Sequence, residues 1–224
     1  MSTYGHATPE EQQHIQELEA RIDAATSPLG EILELALLYI EPCHRGESVV
    51  ELLQAILQRD PNNSVAKIWI GYCCLWALIS PEWQRYAQGL LQEALASEPD
   101  PELVAGAYLL LAQLSRKLAF PKWNEPEALS REIELLRVSI DRAPHWVNNH
   151  RTLAWAYKQR GDVAESIEHL QRGIENMLPR DPELDPLTLY FESYITGRIA
   201  QTRFLHEQLQ VLQAQVREDE TRRP

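Results

Sequence analysis

Three places in this chain carry side chains able to do chemistry. Cys43 precedes His44 within the short stretch Pro42 to Gly46, and a thiol beside an imidazole is the raw material of a nucleophile–base pair. Sequence neighbours do not face each other in a helix turn, however, and no third group is implied to orient the imidazole, so the pair reads as a plain loop. Cys73 and Cys74 lie amid Trp69, Leu75 and Trp76, where buried thiols serve as small packing groups. His145, His150 and His169 cluster in sequence, but no cysteine or acidic spacing completes a zinc ligand set. The motifs H-E-x-x-H, G-x-x-x-x-G-K, G-x-S-x-G and C-x-x-C are all absent from the sequence. The expectation is a chain that is not an enzyme, with no catalytic residue, no metal and no cofactor.

The same residues bear on compartment. Three cysteines are an odd number and two of them are adjacent, which suits reduced thiols in a cytoplasmic protein better than a disulfide framework. The N-terminal MSTYGHATPEEQQ has neither a basic nor an apolar region of a secretory signal. The longest apolar run, Ile68 to Ile79, is 12 residues, too short to cross a bilayer and suited to a core helix. No membrane contact is expected.

Such residues must be positioned by helices. Half of the 14 prolines follow a capping residue, as in Thr8-Pro9, Ser27-Pro28, Ser80-Pro81, Asp100-Pro101 and Asp185-Pro186, and that pairing marks helix starts. No alternating Val/Ile/Thr run with hairpin chemistry is present. The sequence therefore predicts an all-α protein of about ten helices.

The helices recur in a pattern. Leu153-Ala154 is followed by Tyr157, the turn Gly161-Asp162, then Ser166, Leu170 and Pro179, with His150 three residues ahead. Three upstream stretches align with it: Ile32, Leu35-Ala36 and Tyr39 lead to Val49, Leu53 and Pro61; Lys67, Ile70-Gly71 and Cys74 lead to Ala87, Leu91 and Pro99; Tyr108, Leu111-Ala112 and Ser115 lead to Glu132, Leu136 and Pro144. The pattern resembles the tetratricopeptide repeat (TPR), W-x2-L-G-x2-Y, then A-x3-F, then P. The small residues let the helices of a pair approach closely, and larger apolar ones fill the space between pairs. A single pair cannot bury its apolar stripe; four copies suffice for a stable stack.

The resemblance implies an all-α helical-hairpin repeat solenoid, a TPR-like right-handed superhelix, with N-terminal and long C-terminal flanking helices. Residues 1–224 are read as one domain, divided as follows: 8–26 a capping helix, 27–62 repeat 1, 63–100 repeat 2, 101–145 repeat 3 with an inserted turn, 146–182 repeat 4, 186–217 the C-terminal helix and 218–224 a frayed tail. The spacing from the small residue of the first helix to the apolar face of the second is 13, 16, 20 and 12 residues in the four copies. The third copy thus carries extra residues that include Phe120 and Trp123. These two either fold back as a local plug or contact a partner.

In the family the groove is lined by first-helix residues around the Leu-small pair. Carried over, these include Leu33, Leu37 and Ile40; Ile68, Trp69, Tyr72 and Trp76; Leu109, Gln113, Arg116 and Lys117; and Arg151, Thr152, Trp155 and Lys158. The partner-binding set expected from them is Tyr72, Trp76, Gln113, Arg116, Arg151, Trp155 and Lys158. An aromatic end and a basic end suit an extended or helical peptide bearing an acidic group.

Charge narrows the partner class. Residues 1–112 hold sixteen acids and five bases, against seventeen and sixteen in residues 113–224. That balance argues against nucleic acid, which needs clustered Lys and Arg. The resemblance implies a scaffold that binds another protein or peptide, as an adaptor, chaperone or assembly factor. The alternative is a dedicated inhibitor or immunity-type protein that meets a basic toxin or enzyme domain with its acidic surface. The stretch from Leu187 to Val216, apolar at Leu205, Leu209, Leu212 and Val216, either covers the end of the array or serves a homodimer.

Overall fold

The computed structural model describes residues 9–40, 46–78, 80–98, 100–122, 124–178, 191–198 and 202–222. Among these residues there are ten α-helices and one π-helical turn, and no strand. The helices are α1 (Pro9–Arg21), α2 (Leu29–Ile40), α3 (Gly46–Arg59), α4 (Ser64–Trp76), α5 (Pro81–Ser97), α6 (Pro101–Leu118), α7 (Pro126–Arg142), α8 (Val147–Arg160), α9 (Val163–Glu175) and α10 (Thr202–Arg222), with the π-turn at Phe191–Ile195. The chain divides into two compact units, Met1–Leu103 and Val104–Pro224.

In the first unit, α2 packs on α3 and α4 on α5. Local chemistry starts the second pair of helices. The Asn63 side chain caps α4 by accepting from the Ala66 N–H at 3.0 Å, and Ser80 caps α5 by accepting from the Trp83 N–H at 3.4 Å, with Pro81 next in line. The apolar pattern then decides which faces are hidden. Ile32, Ala36, Val49, Leu53, Ile70, Cys74, Ala87 and Leu91 are fully buried, and each large aliphatic among them contributes roughly 1.5–3 kcal/mol of transfer free energy. Helix α1 lies on α2. Its Ile15 and Leu18 are buried, and the Tyr39 hydroxyl donates to Glu19 at 2.6 Å. The capping helix is shorter than the expected 8–26: it stops at Arg21, where Asp23 and Ser27 close a polar turn through bonds of 2.9 Å to the Ala25 and Asp23 N–H groups.

In the second unit, hydroxyls bind the two helices of each pair. Ser139 of α7 donates to the Ala105 carbonyl of α6 at 2.7 Å, and Ser166 of α9 donates to the Ala154 carbonyl of α8 at 2.8 Å. Both serines are buried, so each bond satisfies a group that is costly to leave open. Gly161 closes α8 at φ 93°, a left-handed conformation that glycine adopts without penalty. The extra residues of the third copy are spent partly in helix: α6 runs to Leu118, and only residues 119–125 separate it from α7.

The C-terminal region departs most from expectation. Residues 179–190 lie outside the described set, so Asp185-Pro186 and the start expected at 186 are not placed. The π-turn and a bend at residues 196–198 stand where continuous helix is expected, and α10 begins at Thr202. Gly197 explains the break, with φ 73° and a Cα so close to Asn148 that an added Cβ would lie 2.5 Å from its Oδ1. Asn148 donates through Nδ2 to the carbonyls of Tyr194 and Ile195 at 2.9 Å each, and its own N–H donates to the Thr196 carbonyl at 2.8 Å. Helix α10 then returns over α9, where Leu205 and Leu212 pack with Val147, Ala154 and Leu170. It continues to Arg222, so the backbone of the expected frayed tail is helical through that residue. Glu and Arg in that stretch are good helix formers, which offsets the loss of apolar contacts.

Candidate functional site

Three helices of the second unit meet at Arg116, Glu132 and Trp155. Arg116 stands in the last turn of α6, Glu132 near the start of α7 and Trp155 midway along α8. The repeat register puts Glu132 where the other copies have Val49, Ala87 and Ser166, on the face that packs inward. The structure buries it completely, at 0% exposure. Arg116 Nη1 lies 3.2 Å from Glu132 Oε1, close enough for an ion pair. The alignment does not qualify as a hydrogen bond, and neither carboxylate oxygen has a hydrogen-bond partner among the described residues. Burial pushes the Glu132 pKa up to about 7, against the opposing pull of Arg116.

The other side of Arg116 faces an indole. Its guanidinium carbon lies 4.1 Å from the Trp155 ring centroid, a cation–π contact. Arg116 is thus held between a buried acid and an aromatic ring with about a quarter of its side chain still exposed. Neighbouring Lys117 has its pKa lowered, by burial first and by Arg116 second. Arg151, Trp155 and Lys158 are half-buried on α8.

Other residues of the expected binding set fall in different settings. Gln113 is buried, and its amide donates to Thr152 Oγ1 at 3.1 Å. It acts as a strut between α6 and α8 rather than as a contact surface. Tyr72 and Trp76 belong to the first unit. Tyr72 is half-buried and meets Trp69 edge-on at 5.6 Å, while Trp76, at the end of α4, is 53% exposed. In the inserted turn Phe120 is 75% exposed, so it does not plug the repeat end. Trp123 lies outside the described residues.

The histidines come together in part. His150 Nδ1 and His169 Nδ1 are 3.0 Å apart, and His150 Nε2 is 2.7 Å from the Pro144 carbonyl. A carbonyl only accepts, so Nε2 carries the proton. In the neutral pair His169 Nδ1–H then donates to His150 Nδ1. Tyr157 stacks on His169 at 5.6 Å, and Arg137 donates to the Tyr157 hydroxyl at 2.8 Å. Burial lowers both histidine pKa values, that of His169 to about 4 with His150 adding to the effect. This is a neutral structural pair. Among the described residues no group of three or more His, Cys, Asp or Glu is placed to hold a metal. The Cys43-His44 loop lies outside the described residues.

Sequence reasoning placed Arg116 and Trp155 on the same face but missed Glu132 as their third member. The signal was available as an acid at a small-residue position of the repeat.

No family model matches the chain, and no curated protein matches it. Solved structures do. MamA from Desulfovibrio magneticus RS-1, residue 41 to the end, is 18% identical with a TM-score of 0.54, covering 75% of this chain and 86% of that one. A crystal structure of MamA is 17% identical with a TM-score of 0.53 over 75% and 88%. MamA AMB-1 is 19% identical with a TM-score of 0.53 over 75% and 89%. At these identities the likeness shows the fold, and the fold is a TPR-like helical repeat. Among the described residues no helix is long and apolar enough to cross a membrane.

Proposed function

We propose that this chain is a non-enzymatic scaffold that binds a peptide or helix of a partner protein on the first-helix face of its second unit. The observation that carries the reading is the Arg116–Trp155 contact backed by Glu132. A guanidinium over an indole ring with a buried acid behind it is a partly exposed cation contacted from two sides, so less freedom is lost on binding. Arg151 and Lys158 on the same helix as Trp155 add positive charge, and the preferred ligand is an acidic peptide group with apolar flanks. The expected roles are adaptor, chaperone or assembly factor. Buried, adjacent and unbridged Cys73 and Cys74 suit a reducing, cytoplasmic compartment.

The test begins with tagged purification from the native cell and mass identification of what co-purifies. Arg151→Ala combined with Trp155→Ala should weaken that partner by at least about 2 kcal/mol, roughly thirtyfold. Affinity should fall as salt rises, because the charges are partly exposed. The acidic first 112 residues favour a second reading, an inhibitor of a basic domain. In that case the double variant binds normally, and charge reversal at Glu34 and Glu41 does the damage.

A further inference from the structure

The first unit holds a cleft of about 460 Å³ between α3 and α5, lined by Gln54, Leu57, Gln58, Tyr86 and Leu90, with Lys67 and Glu93 at its charged end. That volume lies in the range of small-ligand sites, roughly 300–1,000 Å³. Its polar centre is Lys67. In the other copies of the repeat this position holds Ile32, Tyr108 and His150, side chains that fill the space behind the first helix. A lysine there runs its methylene stem through the packed layer and delivers an ammonium to the cleft.

The ammonium is deeply set and lightly partnered. The Lys67 side chain is 4% exposed, and its ion pair is to Glu93 Oε2 at 3.3 Å. Glu93 itself is 64% exposed, a rim residue free to swing into solvent. An ammonium has three N–H donors, more than the single contact to one Glu93 oxygen uses, and Lys67 lines the cleft. The walls suit a peptide. The Gln54 amide reaches the Tyr86 hydroxyl at 3.3 Å, so amide and phenol groups line one side, while Leu57 and Leu90 give apolar contact.

We propose that this cleft is a second binding site, one that takes the carboxylate of a peptide segment onto Lys67, with Glu93 as the internal group it displaces or joins. The site lies in the first unit, and the Arg116–Trp155 face in the second. A side-chain carboxylate and a chain-terminal one share this chemistry, and the experiment separates them.

The full chain, labelled with 15N, is titrated with three synthetic probes: acetyl-Leu-Glu-Leu-amide, acetyl-Leu-Gln-Leu-amide and acetyl-Leu-Gln-Leu with a free C-terminal acid. At about millimolar concentration at least one of the two acidic probes should shift the amide resonances of Lys67, Gln58 and Tyr86, and the uncharged probe should not. Whichever acidic probe binds identifies the carboxylate source. Lys67→Met keeps the stem and the burial while removing the charge, and it should weaken the acidic probe at least about tenfold. Glu93→Gln should tighten it several-fold, because the internal competitor is gone. Equal shifts from charged and uncharged probes, or shifts that avoid the cleft, would overturn the assignment. Unchanged binding in Lys67→Met would do the same. Should that variant not fold, weaker or unchanged binding in Glu93→Gln decides against the site.

Discussion

Arg116 reaches Glu132 with one nitrogen at 3.2 Å and holds its guanidinium carbon 4.1 Å from the centre of the Trp155 ring. The acid is fully buried and the indole half-buried, so one cation links the interior of the third repeat to the face of the fourth.

Burial of that acid, only partly offset by Arg116, makes stability depend on pH. The folded pKa of Glu132, about 7, is raised above its ordinary value of 4.5. The folded state therefore holds a proton that the unfolded chain has lost, and the contribution to stability is complete below pH 4.5 and disappears as pH rises through 7. Glu132→Gln keeps the shape without the charge. Denaturant midpoints measured from pH 4 to pH 9 should show the variant gaining on the parent between about pH 4.5 and 7 and keeping a constant lead above that, of at most roughly 3 kcal/mol. Parallel pH profiles for the two proteins would refute the burial of this carboxyl.

Core positions of the repeat should separate cleanly from surface ones. Leu153 and Leu111 are 0% and 5% exposed, and replacing either with Ala should cost about 2–5 kcal/mol. Glu168 is exposed in an ion pair with Arg172 at 2.6 Å, and Glu168→Gln should change stability by about 0.5 kcal/mol or less. Urea denaturation of the three variants checks this. Equal midpoints would contradict the repeat register.

The two buried thiols should be slow to react. Burial lifts both the Cys73 and Cys74 pKa values to about 12, with each other's proximity adding to the rise at Cys73, so almost no thiolate exists at neutral pH. Alkylation followed by mass mapping should find both largely unmodified in the native protein and modified promptly in denaturant. Fast native labelling at either position would place α4 elsewhere.

Gly197→Ala should be among the most damaging single changes near the C-terminus. The new methyl meets Asn148 at 2.5 Å and the backbone is held at φ 73°, two penalties that act together. Thermal unfolding should show a loss of several degrees, against little effect for Gly89→Ala, where nothing lies within 4 Å. Equal melting temperatures would argue that the Asn148 clamp is not formed.

The helices were legible in the sequence because their signals are local. Ser80-Pro81 and Asp100-Pro101 start helices α5 and α6, Gly161 ends α8, and the Leu-small pairs fall on buried faces. What stayed hidden depends on partners distant in sequence. Periodicity told which face Gln113 occupies, but not that Thr152, 39 residues on, would take its hydrogen bond. The same holds for Glu132, whose ion-pair partner Arg116 comes from α6, and for the π-turn, where Asn148 supplies bonds to backbone 46 and 47 residues away. Composition likewise gave no hint that Phe120 would be exposed while Trp146 is fully buried.

Helix α10 has a consequence beyond its own stability. It lies over α9, with Ile167, Leu170 and Ile174 beneath it, and in a stack of helix pairs this is the surface on which another pair would seat. Here that surface is occupied by a helix of the same chain. Stripped of α10, each molecule would present a raw apolar end, and joining that end to any complementary patch is a head-to-tail contact with no symmetry to close it. With α10 in place, that apolar face is instead part of the interior of the second unit, through Leu205 and Leu212.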